Sequence, residues 1–167
     1  MATSPKQTFL DNYDKENATT LRLLRAFPKD KSDYRPTPAN KPARELAWTL
    51  VLERALGTAV WGDAFAKKGP SGKPPEPPKT IDEIVSAFEK SSKDWRQLIA
   101  STSDADLNGE VHFMVGPKQM GKYTRLDFAW FLLHDEIHHR GQLSVYLRGA
   151  GGKVPSIYGP TGDEPWI

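Results

Sequence analysis

Three of the chain's four histidines fall within His134-Asp135-Glu136-Ile137-His138-His139-Arg140, and their spacing suits one helix face. At about 100° per residue, His134 and His138 stand about 40° apart, one turn stacked on the other. Two imidazoles arranged so can grip one divalent ion, because their ring nitrogens converge over a single turn. Phe131, Gly141 and Val145 fall on the same side, so both rings are expected to face the apolar interior. His139 lies about 140° from His134, toward the flank or solvent. Gly141, one turn further along, leaves room for a close helix or a ligand. The other reading is a pair of core histidines hydrogen-bonded to their neighbours, and both stay open. A zincin protease is not supported. Its glutamate directly follows the first histidine, whereas here Asp135 holds that place and Glu136 lies about 200° around the helix.

Four segments with start signals must position these groups. Ser4-Pro5-Lys6-Gln7 is a capping-box pattern with proline at the first helical position, and the helix it opens should stop near Phe27-Pro28. A second helix is expected from Pro38–Pro42 to Ala66. Thr80-Ile81-Asp82-Glu83 launches the third, with the stripe Ile81, Ile84, Val85, Phe88, Trp95, Leu98 and Ile99. Thr124-Arg125-Leu126-Asp127 caps the last, which ends at Gly149. Residues 67–79 are rich in proline and lysine and read as a crossover loop. Residues 103–123 read as irregular, with a short extended piece at 111–115. The tail from Val154 to Pro160 should lie extended over the helices. The expected fold is all-α: a single four-helix-bundle domain over residues 1–167 with long crossover loops. Asn17 and Thr20 interrupt the first apolar stripe and, with Gly141, are candidates to line a pocket beside the histidines.

Composition narrows the chemistry. There is no cysteine among the 167 residues, which removes disulfides, thiolate-ligated metals and cysteine nucleophiles. A net charge of +2, without a basic run, gives no electrostatic footprint for nucleic acid or anionic lipid. Phe128 to Leu133 is the longest apolar run, far short of a membrane span. A cytoplasmic protein acting on a small molecule is the expectation, with a homodimer left open.

The segments Ala43-Arg44-Glu45-Leu46-Ala47-Trp48 and His134-x-x-x-His138-His139-Arg140-Gly141-Gln142, extended by Leu147, Arg148 and Lys153 to Gly159, resemble the DinB/YfiT-like superfamily of four-helix-bundle proteins. That resemblance implies a divalent metal, usually zinc or nickel, held by three histidines. Two would be His134 and His138; the third position falls on Thr49, where this chain departs from the pattern. Helical spacing offers a substitute, since Glu53 shares a face with Leu46, Thr49, Leu50, Gly57 and Val60 and points inward. Two histidines and a carboxylate would suit zinc, nickel or ferrous iron. Glu53 could equally pair with an arginine such as Arg54 or Arg140. Relatives in the superfamily include metal-dependent transferases and isomerases that use low-molecular-weight thiols, so the resemblance implies an enzyme of that kind. The alternative is a non-catalytic binding or structural bundle whose metal site has decayed at Thr49. No residue is singled out as general base.

Overall fold

The structure, a computed structural model, describes residues 3–68 and 73–167. It is mostly helical with one two-stranded sheet. The long helices are α1 (Pro5–Arg25), α2 (Ala43–Trp61), α4 (Ile81–Ser101) and α6 (Arg125–Gly149). Short helices α3 (Ala64–Lys68) and α5 (Asp104–Leu107) precede the hairpin β1 (Glu110–Gly116) and β2 (Gln119–Thr124). α1 packs on α4 and α6, and α2 packs on the same two, so each long helix has two long neighbours. No helix among the described residues is long and apolar enough to cross a membrane.

Local signals start these helices where the sequence places them. The Ser4 hydroxyl accepts from Gln7 N–H at 3.2 Å, with Pro5 at the first helical position. Thr80 and Glu83 close a reciprocal capping box on α4, and Thr124 Oγ1 accepts from Asp127 N–H at 3.0 Å on α6. Each cap satisfies a backbone donor that has no partner inside the helix.

Two expectations need correction. The second helix does not run unbroken to Ala66. It stops at Trp61, where Gly62 caps it and Asp63 turns with φ 57°, before α3 begins. Residues 103–123 are also more ordered than their composition suggests. β1 and β2 pair antiparallel with Val111 opposite Tyr123 and Phe113 opposite Gly121, and Lys118 takes φ 60° in the turn. β2, Gln119-Met120-Gly121-Lys122-Tyr123-Thr124, lacks an alternating apolar pattern, so only its partner marks it. Of the crossover expected over 67–79, residues 69–72 lie outside the described residues. Past them, Trp48 Nε1 donates to the Pro75 carbonyl at 2.9 Å, which ties this connection to α2.

The core is split along the helix axes. One apolar cluster gathers Leu23, Leu50, Ile84, Phe88, Leu143 and Leu147, and the other Phe9, Val60, Trp95, Ile99, Phe128 and Leu132. Between them every long helix contributes buried polar residues: Asn17 and Thr20 from α1, Glu53 and Arg54 from α2, Ser92 from α4, Glu136 and Arg140 from α6.

Gly57 sets the approach of α2 to its neighbours just beyond this layer. A methyl group there would come within 2.8 Å of Leu132 Cδ1 and 3.0 Å of Trp95 Cη2. Gly57→Ala should therefore lower stability by about 1–2 kcal/mol despite its better helix propensity. Gly62→Ala, with open space around it, should stay within about 0.5 kcal/mol of the parent in the same denaturant titration.

Candidate functional site

The polar layer is a connected set of charges. Arg54 Nη2 donates to Glu136 Oε2 and Arg54 Nη1 to Glu53 Oε2, the latter at 3.2 Å. The Arg54 guanidinium also lies over the rings of Phe88 and Tyr13, at 5.2 and 5.7 Å from their centroids. Burial alone would lower its pKa, but Glu136, Tyr13 and Glu53 outweigh that and hold it above the ordinary value. Thr20 Oγ1 donates to Glu136 Oε1 at 2.6 Å. Arg140 lies 2.6 Å from Glu16 Oε2 and donates to the Tyr158 hydroxyl, also at 2.6 Å. Tyr158 in turn donates to Glu16 Oε2 at 2.8 Å, so the tail closes the network over α1.

Glu53 sits at one end of this layer and reaches beyond it. Its Oε2 is taken by Arg54, whereas its Oε1 is buried and has no hydrogen-bond partner. His139 Nε2 lies 3.7 Å from Oε1 and 3.8 Å from Asp135 Oδ1. The ligand atoms of Glu53, Asp135 and His139 all fall within 4.8 Å of one another. Two atoms each about 2.0–2.2 Å from one ion can be at most about 4.4 Å apart, so the two histidine spacings fit a shared ion directly.

The imidazole is oriented for that role. His139 Nδ1 lies 2.9 Å from Gln142 Oε1, and Gln142 Nε2 lies 3.0 Å from His138 Nε2. With the amide placed so, Nδ1 donates to Gln142 Oε1, which leaves Nε2 as the ring nitrogen turned toward the two carboxylates. Burial pushes the Glu53 carboxyl from 4.5 up to about 9, with Asp135 and Glu136 adding to the rise and Arg54 opposing it. An acid kept neutral near pH 7 becomes a ligand when a cation displaces its proton.

The sequence-predicted residues distribute unevenly. Glu53 is buried and faces inward, as its helical position implies. His134 and His138 do not face the interior. Both are exposed, and the structure does not bring either together with Glu53. The inward face of α6 carries Leu132, Leu133, Glu136, Arg140 and Leu143, about half a turn from the phase set by Phe131 and Val145. Thr49 lines a cavity with His139, but its hydroxyl donates to the Glu45 carbonyl of its own helix at 3.2 Å. Asn17 and Thr20 are buried in the polar layer and do not line that cavity, and Gly141 is exposed with open space around it. Asp135 and His139 are the residues that spacing reasoning passed over. Their signal was the same i, i+4 relation one position along the helix.

Known proteins share this architecture. The model of the DinB family matches residues 1–165. The chain is 27% identical over 157 residues to the Bacillus subtilis (strain 168) protein described as uncharacterized protein YrdA, covering 93% of this chain and 89% of that one. Among solved structures, a DinB-like protein from Bacillus cereus ATCC 10987 superposes with a TM-score of 0.71 at 23% identity, over 90% of this chain and 95% of the other. The DinB-like protein YjoA from Bacillus subtilis gives 0.66 at 16% identity, over 86% and 92%.

The geometry makes two expectations measurable. Because the folded pKa of Glu53 exceeds its ordinary value, the native state binds more protons between them. Its contribution to the stability of metal-free protein is full below about pH 4.5 and lost as pH rises toward about 9. Glu53→Gln should remove this slope, which is at most about 1.4 kcal/mol per pH unit, in urea titrations across that window. Glu136→Ala leaves Arg54 buried without its main counter-charge and should cost about 3–5 kcal/mol in the same assay at neutral pH.

Proposed function

The chain belongs to the DinB family, and on that premise we propose that it holds a divalent metal ion between α2 and α6 through Glu53, Asp135 and His139. The proposal takes the helices as a four-helix bundle with the ion at one edge of its polar layer. The observation that carries it is the Glu53 Oε1 atom, buried, unpartnered and 3.7 Å from an imidazole nitrogen.

The activity we infer is metal-dependent chemistry on a small molecule, with transfer to or from a thiol as the specific form. A divalent ion in this position supplies Lewis acidity, which acidifies a thiol or water group near neutral pH. The protein's own residues do the rest. Arg54 holds Glu53 Oε2 and so aims Oε1 at the ion position, while Gln142 fixes the His139 ring. The adjoining cavity of about 460 Å³, lined by Thr49, His139 and Gln142, gives a small molecule access to His139. Glu53, Asp135 and a neutral imidazole suit zinc, nickel or ferrous iron.

Titration of metal-free protein with zinc in a calorimeter should show one ion per chain, with proton release below pH 9 as Glu53 ionises. Glu53→Gln and His139→Ala should each weaken binding at least about tenfold, and His134→Ala should leave it unchanged. Thr49→His, which adds a nitrogen donor beside His139, should tighten it. Loss of binding in His134→Ala with none in His139→Ala would return the ligand role to the exposed histidine. No zinc, nickel or iron binding at all would favour a non-catalytic bundle.

A further inference from the structure

The cavity beside His139 has further polar residues in its wall. Asn40 and Lys41, from the segment leading into α2, line it together with Thr49, His139, Gln142 and Tyr146. Lys41 is the only lysine or arginine in this lining, and it takes part in no ion pair among the described residues. Asn40 is held in one orientation, because its Oδ1 accepts from Thr37 N–H at 3.1 Å and from Thr37 Oγ1 at 2.7 Å. That leaves the amide NH₂ as the group Asn40 can offer. The segment itself is anchored: Ala43 N–H donates to the Tyr34 carbonyl at 2.9 Å and Arg44 N–H to the Ser32 carbonyl at 2.8 Å.

We propose that this cavity binds a small molecule through a carboxylate, held by Lys41 Nζ and Asn40 Nδ2, with its reactive group toward His139, the one of the three metal-site residues that lines the cavity. The inference rests on the metal reading above. Charge balance supports it. A divalent ion with two carboxylates and a neutral imidazole is neutral overall, so it adds no net attraction for an anion. Lys41 is then the lining residue that selects charge. The single positive charge of Lys41 matches a monoanionic carboxylate better than a dianionic phosphate, and the ammonium and amide N–H groups can meet its oxygens. Tyr146 and Leu46, both buried, add apolar surface to the cavity wall for the carbon chain of such a molecule. At about 460 Å³, the cavity falls in the lower part of the ordinary range for small-molecule sites, roughly 300–1,000 Å³.

The test compares mercaptopropionate and mercaptohexanoate with their primary amides on zinc-loaded full-length protein, by calorimetry and by ¹H–¹⁵N chemical-shift titration. The thiol of each probe addresses the metal end, and the amides differ from the acids only in charge. At one chain length or both, the acid should bind about tenfold tighter than its amide. Lys41→Gln should reduce that preference to within about twofold while leaving zinc affinity unchanged. Equal binding of acid and amide at both lengths would overturn the proposal, as would a preference that survives Lys41→Gln. If the protein takes up no metal, the metal reading fails by itself. The same comparison on metal-free protein then decides the anchor: a Lys41-dependent preference keeps it, and none removes it.

Discussion

A guanidinium buried at the centre of the molecule sets the terms for everything around it. Arg54 is 3% exposed, and stripping water from an ion of its kind costs several kcal/mol. The cost is tolerable only where a counter-charge, hydrogen-bond acceptors and polarisable neighbours are already in place. Glu136, Glu53 and the Phe88 and Tyr13 rings come from three different helices besides its own neighbour in sequence. The helices therefore cannot slide or rotate independently. A shift of α6 by one residue would move Glu136 about 100° away from Arg54 and leave both charges uncompensated. Apolar packing above and below tolerates many registers, while this layer tolerates one.

The same layer shapes the candidate site. Arg54 occupies one oxygen of Glu53 and thereby leaves the other pointing out of the layer, toward Asp135 and His139. Glu136 and Arg140 face inward on α6, which rotates Asp135 and His139 to the flank, where they meet α2 and a cavity open to small molecules. His138 is one position further round and exposed, yet it is not idle, since it contacts the Gln142 amide that orients the His139 ring. Structural charge and candidate ligands thus share one carboxylate, with opposite demands on its two oxygens.

Much of this was legible in the residues. The starts of α1, α4 and α6 follow from Ser4, Thr80 and Thr124, whose hydroxyls can reach the third backbone amide ahead. The inward position of Glu53 follows from the apolar residues that share its face on α2. The phase of α6 does not. Its outer side carries Phe131 and Val145 and its inner side Glu136 and Arg140, so apolar residues on both faces cancel the periodic signal that marks a core side. The buried charges reverse the usual rule that ionised residues face water, and a reading built on that rule places His134 and His138 inside. β2 was hidden for another reason: a strand with Gly121 and Lys122 at its centre is recognisable only beside β1.

The tail contact carries a consequence for the order of events during synthesis. Tyr158 meets Glu16 across 142 positions of chain, and Thr20 meets Glu136 across 116. A chain with only α1, α2 and α4 in place has part of each apolar cluster but no acid from α6 for Arg54 to meet. Until that last helix emerges, the arginine is better left in water, so the early helices gain little by closing around it. Closure of the polar layer therefore waits for α6.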